Sequence, residues 1–123
     1  MTDGNQSYPE RLHSDLKEIQ AAINSAIASG PAQQHSIDRI YALLHNTKVQ
    51  GETGQFPLVS NICALACGIL QRTKNPEEAT WRAVKAHIDA LAIIAEHNVE
   101  GDGGDLGRRM VEELRELGQA VGA

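Results

Sequence analysis

Apolar positions recur at helical spacing from one end of the chain to the other. Leu12, Leu16, Ile19, Ile23 and Ile27 follow at steps of three or four, which draws one apolar stripe along a helix. Ser7 with Glu10 has the form of a capping box, Pro9 suits a first turn, and Gly30-Pro31 ends the segment. A second helix is predicted to start near Ser36, a good N-cap, with Ile37, Ile40, Leu44, Thr47 and Gly51 on one face. A third starts at Phe56-Pro57 and carries Leu58, Ile62, Leu65 and Ile69, flanked by Val59, Ala66 and Leu70. Asn75 is predicted to cap a fourth, with Pro76 in its first position and Glu77 and Glu78 at the positive end of its dipole. Its stripe is Trp81, Val84, Ile88, Leu91 and Ala95. Gly101-Asp102-Gly103-Gly104-Asp105 is the strongest loop signal in the chain. A fifth helix from about Leu106 is predicted to turn Met110, Leu114, Leu117 and Val121 inward, with Glu112, Glu113, Arg115 and Glu116 in water.

No segment sustains period-two alternation, so the expected fold is all-α. Short links between amphipathic helices predict an antiparallel four-helix bundle with one additional N- or C-terminal helix. Residues 1–123 are expected to form one helical domain, with the polar stretch 1–7 flexible.

Composition narrows the function. Aromatic residues are only 3% of the 123, which leaves no platform for stacking single-stranded bases. The formal net charge of −5 repels phosphate backbones and anionic lipid, so neither nucleic acid nor a membrane is an expected partner. No segment reads as a signal peptide or a membrane span, and the expected location is the cytoplasm. Cys63 and Cys67 lie four apart on a predicted helix with no second pair to complete a zinc site. They read as buried, reduced thiols that pack as small apolar groups.

Of the five histidines, His13, His35 and His97 read as surface residues and His87 as a packing residue beside Leu91 and Ile94. Only His45 has a distinctive setting: Leu44-His45-Asn46-Thr47-Lys48-Val49-Gln50-Gly51. On a helix, Leu44, Thr47 and Gly51 face the core while His45 falls more than about 100° from the centre of that face, in solvent. Lys48 is one turn on. A neutral imidazole is a nucleophile near pH 7, and an ammonium beside it stabilises a phosphoryl group arriving on the ring. A surface His beside a surface Lys is also common with no chemistry at all. Gly51 and Gly54 remove side-chain bulk nearby, which points to close approach of another backbone.

The stretch His45 to Leu58 resembles the histidine-containing phosphotransfer domains of bacterial phosphorelays, which carry H-x-x-K-G-x-[A/S/G] on the second long helix of a four-helix bundle. His45-Asn46-Thr47-Lys48-Val49-Gln50-Gly51 followed by Phe56-Pro57-Leu58 is similar to the H-D-x-K-G-Q-G…[Y/F]-P-L pattern of small stand-alone alphaproteobacterial members. Ala86-His87-Ile88-Asp89-Ala90-Leu91 and Gly101-Asp102-Gly103-Gly104 extend the likeness over nearly the whole chain. The resemblance implies that His45 accepts the phosphoryl group and Lys48 steadies its oxygens. Asn46, Val49, Gln50 and Glu52 would meet the partner, and Gly51 and Gly54 would shape the helix beside the site. The implied partner is the receiver domain of a response regulator or hybrid histidine kinase. Transfer would use Mg²⁺ on that receiver, with no cofactor or metal bound by this chain, which would act as a monomeric carrier rather than an autonomous catalyst.

Four departures bear on that role. Val49 stands where the family has Gly directly after the Lys, and its stiff, branched side chain leans toward the imidazole one turn back. Glu52 adds negative charge to the phosphoryl-receiving side. Asn46 replaces a frequent acidic residue, and Thr53-Gly54-Gln55 shifts the usual place of the Gly before the aromatic. The chain therefore reads first as a phosphoryl carrier and second as a degenerate adaptor that docks receiver or kinase domains without efficient transfer. A helical structural module with no chemistry at His45 is the third reading.

Overall fold

The computed structural model describes residues 8–28, 34–53, 56–73, 77–97 and 103–122. These form five helices: α1 (Tyr8–Ala28), α2 (Gln34–Thr53), α3 (Pro57–Arg72), α4 (Glu78–His97) and α5 (Gly104–Gly122). No strand occurs among the described residues, so the fold class is all-α. No described helix is long and apolar enough to cross a membrane.

The stripes define the core. Leu12, Leu16, Ile19 and Ile23 of α1 are buried, and Ala26 shares that face in place of Ile27, which is half-buried. In α2 the buried set is Ile37, Ile40, Leu44 and Thr47. Thr47 is tolerated there because its Oγ1 donates to the Leu43 carbonyl (3.0 Å), so no hydroxyl is left unsatisfied. Cys63 and Cys67 are both buried in α3. Burial pushes the Cys67 thiol up to about 11 and Cys63 higher still, so both stay protonated and unreactive near pH 7.

Helix starts depart from expectation by a residue or two. The second begins at Gln34, which places Ser36 inside its first turn rather than at the cap. The third follows the Phe56-Pro57 signal, with Phe56 in the cap position and Pro57 first in the helix. The fourth is anchored at Glu77: its carbonyl accepts from Trp81 N–H (3.1 Å), and its N–H donates to Thr80 Oγ1 (3.3 Å). Thr80 thus satisfies one of the N–H groups that a helix start leaves orphaned. The predicted signals at Ser7, Gly30-Pro31 and Asn75-Pro76, and the expectation for 1–7, lie outside the described residues. The fifth starts at Gly104, two residues before Leu106. Gly103 has φ 73°, and a Cβ there would lie 2.9 Å from Leu58 Cδ2. Conformation and space together require glycine at this turn.

One inward assignment fails. Leu117 is exposed, while Leu114 is buried and Met110 and Val121 are half-buried. The inner line of α5 runs instead through Gly107, Leu114 and Gly118, all buried. A Cβ on Gly118 would come within 3.2 Å of the Ile69 side chain. The glycine lets α5 lie close on α3, and that rotation swings Leu117 outward.

Helix neighbours form a cycle. The first helix packs on α2 and α4, and α3 packs on α2 and α4; α5 lies against α3 and α4. His87 of α4 is fully buried in this arrangement. Its Nδ1 lies 2.7 Å from the Ala83 carbonyl, and because a carbonyl only accepts, Nδ1 carries the proton. Burial holds its pKa below the ordinary 6.5, against a smaller opposite pull from that carbonyl. The unfolded chain therefore binds a proton that the fold resists, so stability is full above about pH 6.5 and falls as the solution is acidified. The urea midpoint should drop between about pH 7 and pH 5, and His87→Leu should flatten that slope. An unchanged slope in the variant would place the sensitivity elsewhere.

Candidate functional site

The middle of α2 projects His45 into solvent because its neighbours on the core side, Leu44 and Thr47, are buried. The imidazole stacks on Tyr41, one turn earlier, with ring centroids 6.2 Å apart and planes 7° from parallel. This is an offset stack within the usual range. Tyr41 is itself held from α3, where Gln71 Nε2 donates to its hydroxyl (2.9 Å). The histidine thus rests on a ring tied to the neighbouring helix. Sequence reading missed Tyr41 and Gln71, although the i, i+4 spacing of Tyr41 and His45 is a signal for the first of them.

Lys48 is half-buried on the α3 side of the same helix. Its ammonium lies near enough to Cys63 and Cys67 to pull both thiols downward against the larger effect of burial. Val49 is 42% exposed on the other side of His45. Asn46 is exposed and lines a shallow groove with Asp38, Arg39, Ala42 and Leu43. Arg39 ties this flank to α1 through Glu18 (3.1 Å). His45 therefore stands on a crest, with Lys48 and Tyr41 toward α3 and Asn46 and Val49 on the far side. Gln50 is half-buried. Glu52 belongs to α2, and Gly54 lies outside the described residues.

Gly51 sits where α2 and α3 come closest. Phe56 N–H donates to the Gly51 carbonyl (2.8 Å), and Ser60 Oγ donates to the Lys48 carbonyl (2.7 Å). A Cβ on Gly51 would lie 2.8 Å from Ser60 Oγ, 3.2 Å from the Phe56 carbonyl oxygen and 3.3 Å from Ser60 N. Backbone thus abuts backbone on the core side, nearly two turns beyond the exposed His45 and next to the Lys48 carbonyl.

Among the described residues no three His, Cys, Asp or Glu side chains gather as a metal site. His13 and His97 are exposed, and His87 lies in the core. The arrangement on α2 offers one accessible nucleophilic ring, an aromatic support and a cation one turn away. No family model, curated protein or solved structure matches the chain.

Proposed function

We propose that this protein is a histidine phosphotransfer protein of a two-component phosphorelay, exchanging a phosphoryl group between His45 and the aspartate of a receiver domain. The observation that carries the reading is His45 itself. It is exposed at mid-helix, stacked on Tyr41, with Lys48 three residues on and Gly51 packed against α3. The cycle α1–α2–α3–α4 supports an antiparallel four-helix bundle as its frame, with α5 as the additional helix. In the transfer a bare ring nitrogen attacks phosphorus, an N–P bond forms, the Asp O–P bond breaks, and the carboxylate leaves. Mg²⁺ would sit on the receiver of the response regulator or hybrid kinase, and this chain would act as a cytoplasmic monomeric carrier. The test is incubation with phosphorylated receivers, following acid-labile, alkali-stable label on this protein. Receivers that neither bind nor label it would overturn the reading.

The exposed Val49 favours the second reading, a degenerate adaptor that docks receivers and transfers poorly. Val49→Gly separates the two. If the branched side chain crowds the imidazole, the variant transfers faster, despite a stability cost somewhat under about 1 kcal/mol from the poorer helix propensity of Gly. The gain appears in the transfer rate more than in receiver binding. If Val49 is an apolar anchor for the partner, Val49→Gly weakens binding by about 1 kcal/mol, and transfer falls with it. Initial rates and binding isotherms at a temperature where both forms are folded distinguish these outcomes.

A further inference from the structure

The freedom of the His45 ring sets how often it points at an incoming phosphoryl group. An exposed imidazole on a helix has two open χ1 wells, because the third clashes with the preceding turn, and a broad, two-fold χ2. That leaves about four orientations, of which a fixed docking geometry uses few. Side chains on a helix lean toward its N-terminus, so His45 leans over Tyr41. The near-parallel stack, with planes 7° apart, picks one orientation out of that set.

The stack orients His45 only if the Tyr41 ring is itself held. Tyr41 is half-buried and packs against the core, and its hydroxyl accepts from Gln71 Nε2 (2.9 Å). Gln71 has a firm base. Ile69 and Leu70 beside it are buried, and Thr73 Oγ1 donates to the Ile69 carbonyl (2.7 Å). That bond closes the last turn of α3 and satisfies a carbonyl that a helix end leaves orphaned. A line of contacts therefore runs from the end of α3 through Gln71 and Tyr41 to His45 on α2. The Gln71–Tyr41 bond is exposed, so water would satisfy both groups without it, and the core does not require it.

We propose that Tyr41 and Gln71 are positioning residues for phosphoryl transfer: Gln71 holds the phenol ring from α3, and the ring holds the His45 imidazole in one orientation. The proposal rests on the phosphotransfer reading and adds to that site a part on α3. Two measurements on the full chain test it. The first needs no receiver. Three-bond couplings to the His45 Hβ protons should report a single rotamer in the parent and averaged values in Gln71→Met and Tyr41→Phe. Tyr41→Phe keeps the aromatic packing, and Gln71 is exposed, so both variants keep the core. The second is label transfer from a phosphorylated receiver over a range of its concentrations. With about four orientations opened to the ring, each variant should lose about two- to four-fold in the rate at saturation, with the half-saturating concentration unchanged. The two substitutions remove the same bond, so Tyr41→Phe with Gln71→Met should lose no more than either alone. The proposal alone is overturned if the parent is labelled and the variants transfer at its rate, or if the His45 couplings stay those of one rotamer. It is also overturned if the losses multiply in the double variant, or if only the half-saturating concentration moves, since either marks Tyr41 and Gln71 as separate parts of a docking surface. A parent chain that no receiver labels removes the phosphotransfer reading, and this role with it, whatever the couplings show.

Discussion

His45→Gln should lose all acid-labile, alkali-stable label from a phosphorylated receiver while keeping its unfolding midpoint. A glutamine amide reaches about as far as an imidazole but is no nucleophile, so the N–P bond cannot form. The side chain is exposed and makes its described contact only with the Tyr41 ring. Surface changes of this kind stay within about 0.5 kcal/mol. Loss of label at constant stability assigns the chemistry to His45. Label that survives the substitution would move the acceptor to another histidine, and His13 and His97 are the exposed ones described. Receiver binding retained by the variant would show that docking and transfer are separable on this face.

Gly51→Ala should destabilise the protein even though alanine is the better helix former. Propensity alone favours alanine by about 1 kcal/mol. Packing opposes it. The new methyl would meet Ser60 Oγ at 2.8 Å and two backbone atoms at 3.2 and 3.3 Å. The Ser60 hydroxyl is held by its bond to the Lys48 carbonyl, and backbone atoms cannot rotate aside. Either α3 moves off α2 or that bond breaks. Overpacking of this order costs about 1–3 kcal/mol, so the net change is a loss of up to about 2 kcal/mol, read as a lower urea midpoint at unchanged slope. Gly51→Val should lose more. Ser60→Gly placed in the Gly51→Ala background should recover part of the loss, because it removes the nearest clash. A rise in midpoint on Gly51→Ala would mean that the helices separate freely here, and that His45 does not depend on this contact for its position.

The period of apolar residues is local information, and it was enough to place all five helices and most of their inward faces. Leu44 and Thr47 point in and His45 points out because a helix turns through about 100° per residue, whatever it packs against. The ends were less legible. Ser36 reads as a cap, yet α2 begins at Gln34. Leu117 shows the limit of a stripe. Its spacing fits the inner face, but Gly118 lets α5 settle on α3 along a different line. A helix face is broad, and a glycine leaves no hydrophobic mark in the pattern.

The sequence by itself determined the helical class, the five elements, the exposure of His45 and its spacing to Lys48, since each follows from the geometry of a single helix. Only the tertiary structure decided which helices touch, and two features of the molecule depend on that. Gln71 of α3 reaches the Tyr41 hydroxyl that supports His45. Ser60 of α3 fills the space that Gly51 leaves. The physical reason is the same in both cases. Periodicity tells a side chain which way to face, but the partner it meets lies on another segment of chain and is chosen by the joint packing of all the helices.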